Sequence, residues 1–205
     1  MKDQDSLNSS FSENKRQWEH IAPVGFAFLL ESLPYGVVVS LAVLSIFYGV
    51  YGSRVLLKET TMRLSERQRR FSWGKFFYGL MVLLLVLVFY NRLYLAGAVW
   101  AILASGDGFS NLLGRRWGLK KLPWNSQKSW VGSFAFLICG GLMALVLLLW
   151  LGPSLSWSLS LQLAFIPALL CALVESIPWR IDDNFSVVLT GAFFCHWIDQ
   201  GYVLW

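Results

Sequence analysis

The sequence predicts an all-α fold, a polytopic transmembrane helix bundle, and three observations predict it. Of the 205 residues, 56% are apolar and 14% are charged, against about 25% charged in a soluble domain. The apolar residues come in runs: Met81–Phe89 and Val131–Leu151 contain no Asp, Glu, Lys, Arg or His. About 20 such residues cross the roughly 30 Å hydrocarbon layer as a helix. All but one of the 17 Lys and Arg fall in segments that alternate spans would leave on one side, the bias that marks a cytoplasmic face.

Taken in order, residues 1–14 are polar and partly acidic, unlike a secretory signal, and are expected to form a disordered tail before a single transmembrane domain over 15–205. The apolar stretch from Ile21 to Tyr51 is broken only by Glu31. One helix of that length would be about 46 Å long, too long for the layer. Pro34-Tyr35-Gly36 offers a turn, giving spans near 16–32 and 35–53. Two arrangements stay open here, a second crossing or a segment 16–32 lying flat at the interface, and they differ only in the side taken by the tail. A basic, helix-capable stretch from Ser53 to Lys75 ends in Phe71-Ser72-Trp73-Gly74, residues suited to the interface.

The third span is expected at 74–90, turning at Asn91-Arg92, and the fourth at 93–107. A polar loop from Arg115 to Ser129 carries five bases and Pro123. Spans at 130–151, 157–178 and 185–204 follow, separated by Gly152-Pro153 and by Pro178 with the loop 180–184. Seven spans with the N-terminus inside leave only Arg92 outside. Cys139, Cys171 and Cys195 lie in apolar runs without a CxxC pair and read as small apolar residues. The net charge of +5 flanks hydrophobic spans, so it reads as membrane orientation and not as a nucleic-acid partner.

This topology gathers His20, Asp107, Asn111, Arg115, Arg116, Lys120, Lys121, Lys128, Glu175, Asp182 and Asp183 at the inner face. Ionisable groups at membrane depth pair with one another or line an aqueous site. Asp107, Asn111 and Arg115 recur at helical spacing and share a face if the fourth span continues past Gly106. Gly114 on that face admits a close approach by another backbone or by a phosphate. A carboxylate can hold Mg²⁺, which grips phosphate oxygens, arginine binds phosphate through a planar fork, and Lys128 is placed to meet phosphate charge. The set reads as a polyphosphate site at the lipid–water boundary. Against it, Arg115, Arg116, Lys120 and Lys121 are also ordinary inner-face anchors, Asp107 could end a helix, and Asp182 and Asp183 are common turn residues. His196 and Asp199 read as residues of the outer interface. There is no G-x-x-x-x-G-K-[ST] loop, H-E-x-x-H pair or G-x-S-x-G elbow.

Five stretches carry a resemblance. Ser105-Gly-Asp-Gly-Phe-Ser-Asn-Leu-Leu-Gly-Arg-Arg-Trp-Gly118 is followed by Lys121-Leu-Pro-Trp-Asn-Ser-Gln-Lys-Ser-Trp-Val-Gly-Ser133, then by Glu175-Ser-Ile-Pro-Trp-Arg-Ile-Asp-Asp-Asn184. Together with Arg16–His20 and the Ser72-Trp73-Gly74 entry to the third span, these resemble the phytol kinase and dolichol kinase family. The resemblance implies a kinase that phosphorylates a long prenyl alcohol from CTP, with Mg²⁺, at the cytosolic face. It implies catalytic or metal roles for Asp107, Glu175, Asp182 and Asp183, with Asp107 and Asp182 as the metal pair. Asn111, Gly114, Arg115, Arg116, Lys121 and Lys128 would contact the nucleotide, and His20 would orient one of these groups. Gln17 stands where the family has a second base, and the compact chain favours a C20-type alcohol. The expected setting is a bacterial plasma membrane or a thylakoid. The rival readings are a phosphatidate cytidylyltransferase of the CDP-diacylglycerol synthase type, whose K-D-x-x-x-D signature is missing here, and a small transporter or scaffold, for which no internal repeat speaks.

Overall fold

The computed structural model describes residues 11–52, 55, 60–178 and 182–201. The first ten residues of the expected tail, most of the basic stretch at 53–59, the loop at 179–181 and the end of the seventh span lie outside them. The described residues form eight helices and one small hairpin: α1 (Glu13–Ile21), a 3₁₀ segment (Ala22–Leu29), α2 (Tyr35–Gly52), α3 (Leu64–Arg69), α4 (Trp73–Val88), α5 (Leu93–Trp117), β1 (Lys121–Leu122), β2 (Asn125–Ser129), α6 (Trp130–Leu151), α7 (Trp157–Ser176) and α8 (Asp183–Asp199). The fold is an all-α helix bundle of the membrane type. Four helices, α2, α5, α6 and α7, are long and apolar enough to cross a bilayer, and α4 is a shorter apolar helix.

The first helix starts earlier than the sequence suggests. Ser12 caps α1 by accepting from the Lys15 amide at 3.4 Å, so Glu13 and Asn14 already lie in its first turn. The expected first span therefore divides into a charged α-helix and an apolar 3₁₀ segment, with Pro23, which lacks an amide proton, near their junction. Pro34 separates this segment from α2, where the sequence places the turn.

The central helix is α5, with 83% of its most apolar window buried against 22% for α2. Leu95, Ala98, Val99, Ile102 and Leu103 have essentially no exposure. Around it pack α6, α7, α8 and the 3₁₀ segment, while α2 lies outermost against α4. Close crossings between α5 and α6 rest on glycines. A Cβ on Gly140 would lie 3.2 Å from the Gly106 Cα, and one on Gly114 would lie 3.2 Å from the Gly132 Cα. Small residues let backbones approach where helices meet without a hydrophobic drive from water. Large apolar side chains such as Phe26, Leu44, Val88, Phe134 and Phe193 are exposed on the outer faces, a surface that suits lipid.

The expected polar loop after α5 is structured. α5 runs on to Trp117, and the chain then turns through an antiparallel hairpin with an irregular register between Lys121 and Leu122. Asn125 Nδ2 donates to the Ser176 carbonyl at 3.0 Å and Trp124 Nε1 donates to Ser176 Oγ at 3.1 Å. These bonds dock the hairpin on the end of α7 and fix where Lys128 points.

Candidate active site

One cavity of about 390 Å³ opens at the end of the bundle where α1, α4, α5, the hairpin and α8 meet. Its centre is Asp107. The helix does not stop at this residue: a π-type turn over Ile102–Asp107 leads directly into the last ten residues of α5. Asn111, one turn on, donates from Nδ2 to Asp107 Oδ1 and to the Asp107 carbonyl, both at 3.0 Å. His20 Nε2 lies 3.5 Å from Asp107 Oδ2.

Acidic side chains from three elements converge here. Oxygens of Asp107, Glu175 and Asp183 lie within 4.8 Å of one another, close enough to share a cation, and a set of hard carboxylate oxygens suits Mg²⁺. Lys128 joins the same group. Its Nζ donates to the buried Glu175 carboxylate and to Asp183 Oδ2 at 3.3 Å. Burial pulls the Lys128 pKa down, but the carboxylates of Glu175, Asp107 and Asp183 together outweigh it, so the ammonium titrates above its ordinary value. For His20, on α1 and outside the four long spans, burial outweighs the nearby Asp107 carboxylate and lowers the pKa below 6.5.

The opposite wall is basic. Arg16, Lys75 and Arg63 line it with Glu19. Lys75 Nζ donates to Glu19 Oε2 at 2.7 Å and to Thr61 Oγ1 at 2.8 Å. Arg16 stands 3.6 Å from Glu66, and its Nη1 is buried without a hydrogen-bond partner among the described residues. Asn184 ties this wall to the head of α8 by donating to the Gly74 carbonyl at 3.1 Å and to Asp182 Oδ1 at 2.9 Å.

Of the residues expected at the site, His20, Asp107, Asn111, Lys128, Asp182 and Asp183 line this cavity, and Glu175 reaches it through Lys128. The sequence pairs Asp107 with Asp182 for metal, whereas the structure brings Asp183 and Glu175 to Asp107 and uses Asp182 Oδ1 to cap α8 through the Asn184 amide at 3.0 Å. Gly114, Arg115 and Lys121 line a smaller adjoining pocket. There Gly114 meets the Ser129 hydroxyl and the Gly132 backbone, and Arg115 reaches Glu13 at 3.4 Å. Arg116 places its guanidinium 5.1 Å from the Trp117 ring centroid. Asp199 pairs with Arg92 at 2.6 Å and accepts from Tyr94 at the other end of the bundle. The sequence reading missed Arg16, Glu19, Lys75 and Asn184 as cavity residues. Arg16, Glu19 and His20 repeat at i, i+3 and i+4, the signal that could have placed them on one helical face.

No protein-family model matches the chain, and no solved structure matches it. Curated proteins are similar. A probable chloroplastic phytol kinase of Triticum aestivum is 37% identical over 147 residues, 69% of this chain and 48% of that protein. A probable phytol kinase 1 of Oryza sativa subsp. japonica is 32% identical over 148 residues, 68% of this chain and 47% of its own length. Phytol kinase 1 of Arabidopsis thaliana is 31% identical over 122 residues, 57% of this chain and 40% of its own length. The chain spans about half the length of the curated relatives it matches. With the charged cavity at the head of an all-α membrane bundle, this similarity places the chain in a phytol kinase-like family.

Proposed function

We propose that the chain transfers the γ-phosphoryl group of CTP to the hydroxyl of a long prenyl alcohol, giving a prenyl monophosphate and CDP at the cytosolic membrane face. The observation that carries this reading is the single cavity in which the Asp107, Glu175 and Asp183 carboxylates, with Lys128, stand opposite the basic wall of Arg16 and Lys75. The names of the relatives supply the acceptor class, and the family resemblance supplies the nucleotide. Those names, all chloroplastic, are compatible with a thylakoid and add nothing for a bacterial plasma membrane.

Phosphoryl transfer asks a protein mainly for positioning and charge neutralisation. Asp107, Glu175 and Asp183 would hold Mg²⁺, which would neutralise donor phosphate charge. Arg16 offers its free Nη1 to phosphate oxygens, and a guanidinium suits them through its planar fork. Lys128, released from Glu175 and Asp183, meets the transferred group. The alcohol oxygen attacks the γ-phosphorus, the bond from that phosphorus to the β–γ bridging oxygen breaks, and CDP leaves with the electron pair. The hydroxyl proton passes to Asp182 at the head of α8.

The test uses purified protein in detergent with Mg²⁺, CTP labelled at the γ- or the α-phosphate, and phytol, a polyprenol or phosphatidic acid. Label from the γ-position in a prenyl monophosphate is the expected result. Label from the α-position in lipid would make the chain a cytidylyltransferase, and no transfer to any lipid would return it to the transporter or scaffold readings.

A further inference from the structure

The cavity is not polar throughout. On its membrane side it is walled by Pro23 of the 3₁₀ segment and by Ser45 and Tyr48 of α2, over a floor of Tyr78 and Trp100. The polar tips of the floor are satisfied internally. Trp100 Nε1 donates to Tyr78 Oη at 2.7 Å, and Tyr78 Oη donates to the His20 carbonyl at 3.0 Å. What the two rings offer the cavity is therefore their apolar bodies.

The two wall elements lean mainly on different neighbours. The 3₁₀ segment packs on α5 and α6, and α2 packs on α4. Both extend from the cavity toward the opposite end of the bundle. The Phe28 carbonyl accepts from Trp150 near the end of α6 at 2.9 Å, and the Tyr35 ring lies 6.5 Å from that of Tyr90 beyond the end of α4. Phe26, Leu41, Leu44 and Phe47 are exposed apolar residues on these same two elements. A long molecule with one polar end matches this arrangement, since its apolar length has lipid-facing walls and its head meets the charged cavity.

We propose that the isoprenoid tail of the acceptor lies between the Ala22–Leu29 segment and α2, with its hydroxyl entering the cavity past Ser45 and Tyr48. The proposal rests on the alcohol-kinase reading and adds to it the place where the lipid binds. Among the described residues, Ser45 donates only to the Ala42 carbonyl of its own helix, at 2.7 Å, so a larger side chain there crowds the passage while leaving the pairing of charges untouched.

The experiment compares wild type, Ser45→Trp, Ser45→Phe and the lipid-facing control Leu142→Trp in nanodiscs, with phytol and with the C5 alcohol 3-methylbut-2-en-1-ol as acceptors. Each Ser45 variant should lower kcat/KM for phytol by about tenfold or more, and leave the C5 alcohol and the KM for CTP within about twofold. Leu142→Trp should change neither acceptor. Equal losses for both alcohols, or none for phytol, would overturn the proposal. A second arm needs no turnover. A C20 alcohol carrying a diazirine at its far end is photolysed with wild-type protein, and the adducts are mapped by mass spectrometry. Adducts within 22–29 or 35–47 support the site, and adducts confined to α7 or α8 sink it. Wild type that phosphorylates no alcohol would defeat the kinase reading instead, and the labelling arm would still decide where the tail binds.

Discussion

Asp107 is where the chemistry of the site meets. Asn111 holds its Oδ1, His20 approaches its Oδ2, and Glu175 and Asp183 bring two further carboxylates alongside. Replacement by Asn keeps the shape and an oxygen that Asn111 can still bond, but removes the negative charge. Asp107→Asn should therefore lower phosphoryl transfer by about 1,000-fold, the scale of losing one preorganised electrostatic contact. The melting temperature should stay within about 4 °C, since less than about 1 kcal/mol of packing is at stake. Transfer of γ-label and a thermal melt on the same preparation separate the two effects. His20 gives a second prediction at this scale. Its folded pKa lies below 6.5 because burial penalises the imidazolium, with Arg16 pressing the same way against the pull of Asp107 and Asp182. The neutral ring is the folded form, so this contribution is whole above pH 6.5 and is lost as pH falls below it toward the folded pKa. Melting temperature should drop between pH 7 and pH 5.5, and His20→Asn should flatten that drop. An unchanged slope in the variant would assign the acid sensitivity to another group.

At the scale of elements, what the sequence could show depended on how far apart the partners lie. Asp107 and Asn111 were legible because one helical turn joins them, given that α5 continues through Gly106. The Lys128 pairings with Glu175 and Asp183 span 47 and 55 residues and exist only because the hairpin docks on Ser176. No periodicity in the chain reveals that docking. The same reason hid Lys75, whose role depends on α1 and α4 meeting across the cavity. Gly114 was read as leaving room for a backbone or a phosphate, and the structure shows the backbone. A methyl there would stand 3.1 Å from Ser129 Oγ and 3.2 Å from the Gly132 Cα, and the Gly132 main chain cannot turn aside as a flexible side chain would. Gly114→Ala should cost about 1–3 kcal/mol by overpacking while leaving the KM for CTP within about twofold. A large rise in that KM with unchanged stability would speak for the phosphate role instead.

At the scale of the molecule, the all-α membrane bundle was legible from the run lengths of apolar residues, while four of the seven expected spans stand among the described residues as helices long and apolar enough to cross. α4 and α8 both begin at the cavity, joined by the Asn184 bond to Gly74. Both end at the opposite pole, where Arg92 after α4 meets Asp199 at the end of α8. The sixteen residues of α4 separate the poles by about 24 Å along the helix, most of the hydrocarbon thickness. The one base that the charge count sets apart from the rest thus lies with Asp199 at the far pole, whereas Arg16, Arg63, Lys75, Arg115, Lys121 and Lys128 gather at the cavity pole. That asymmetry predicts a fixed orientation, with Asn91 and Ser126 on opposite sides of the membrane. Both positions are exposed, and Cys171 and Cys195 are buried while Cys139 is half-buried, so single cysteines can be introduced over a small background. In sealed, oriented vesicles, Asn91→Cys should react with an impermeant maleimide from the side opposite to the one that reaches Ser126→Cys. Added CTP with Mg²⁺ should slow labelling only at Ser126, which lies in the second strand of the hairpin beside the cavity. Labelling of both cysteines from one side would mean that α5, which joins them, does not cross the bilayer, and the inside placement of the cavity would fall with it.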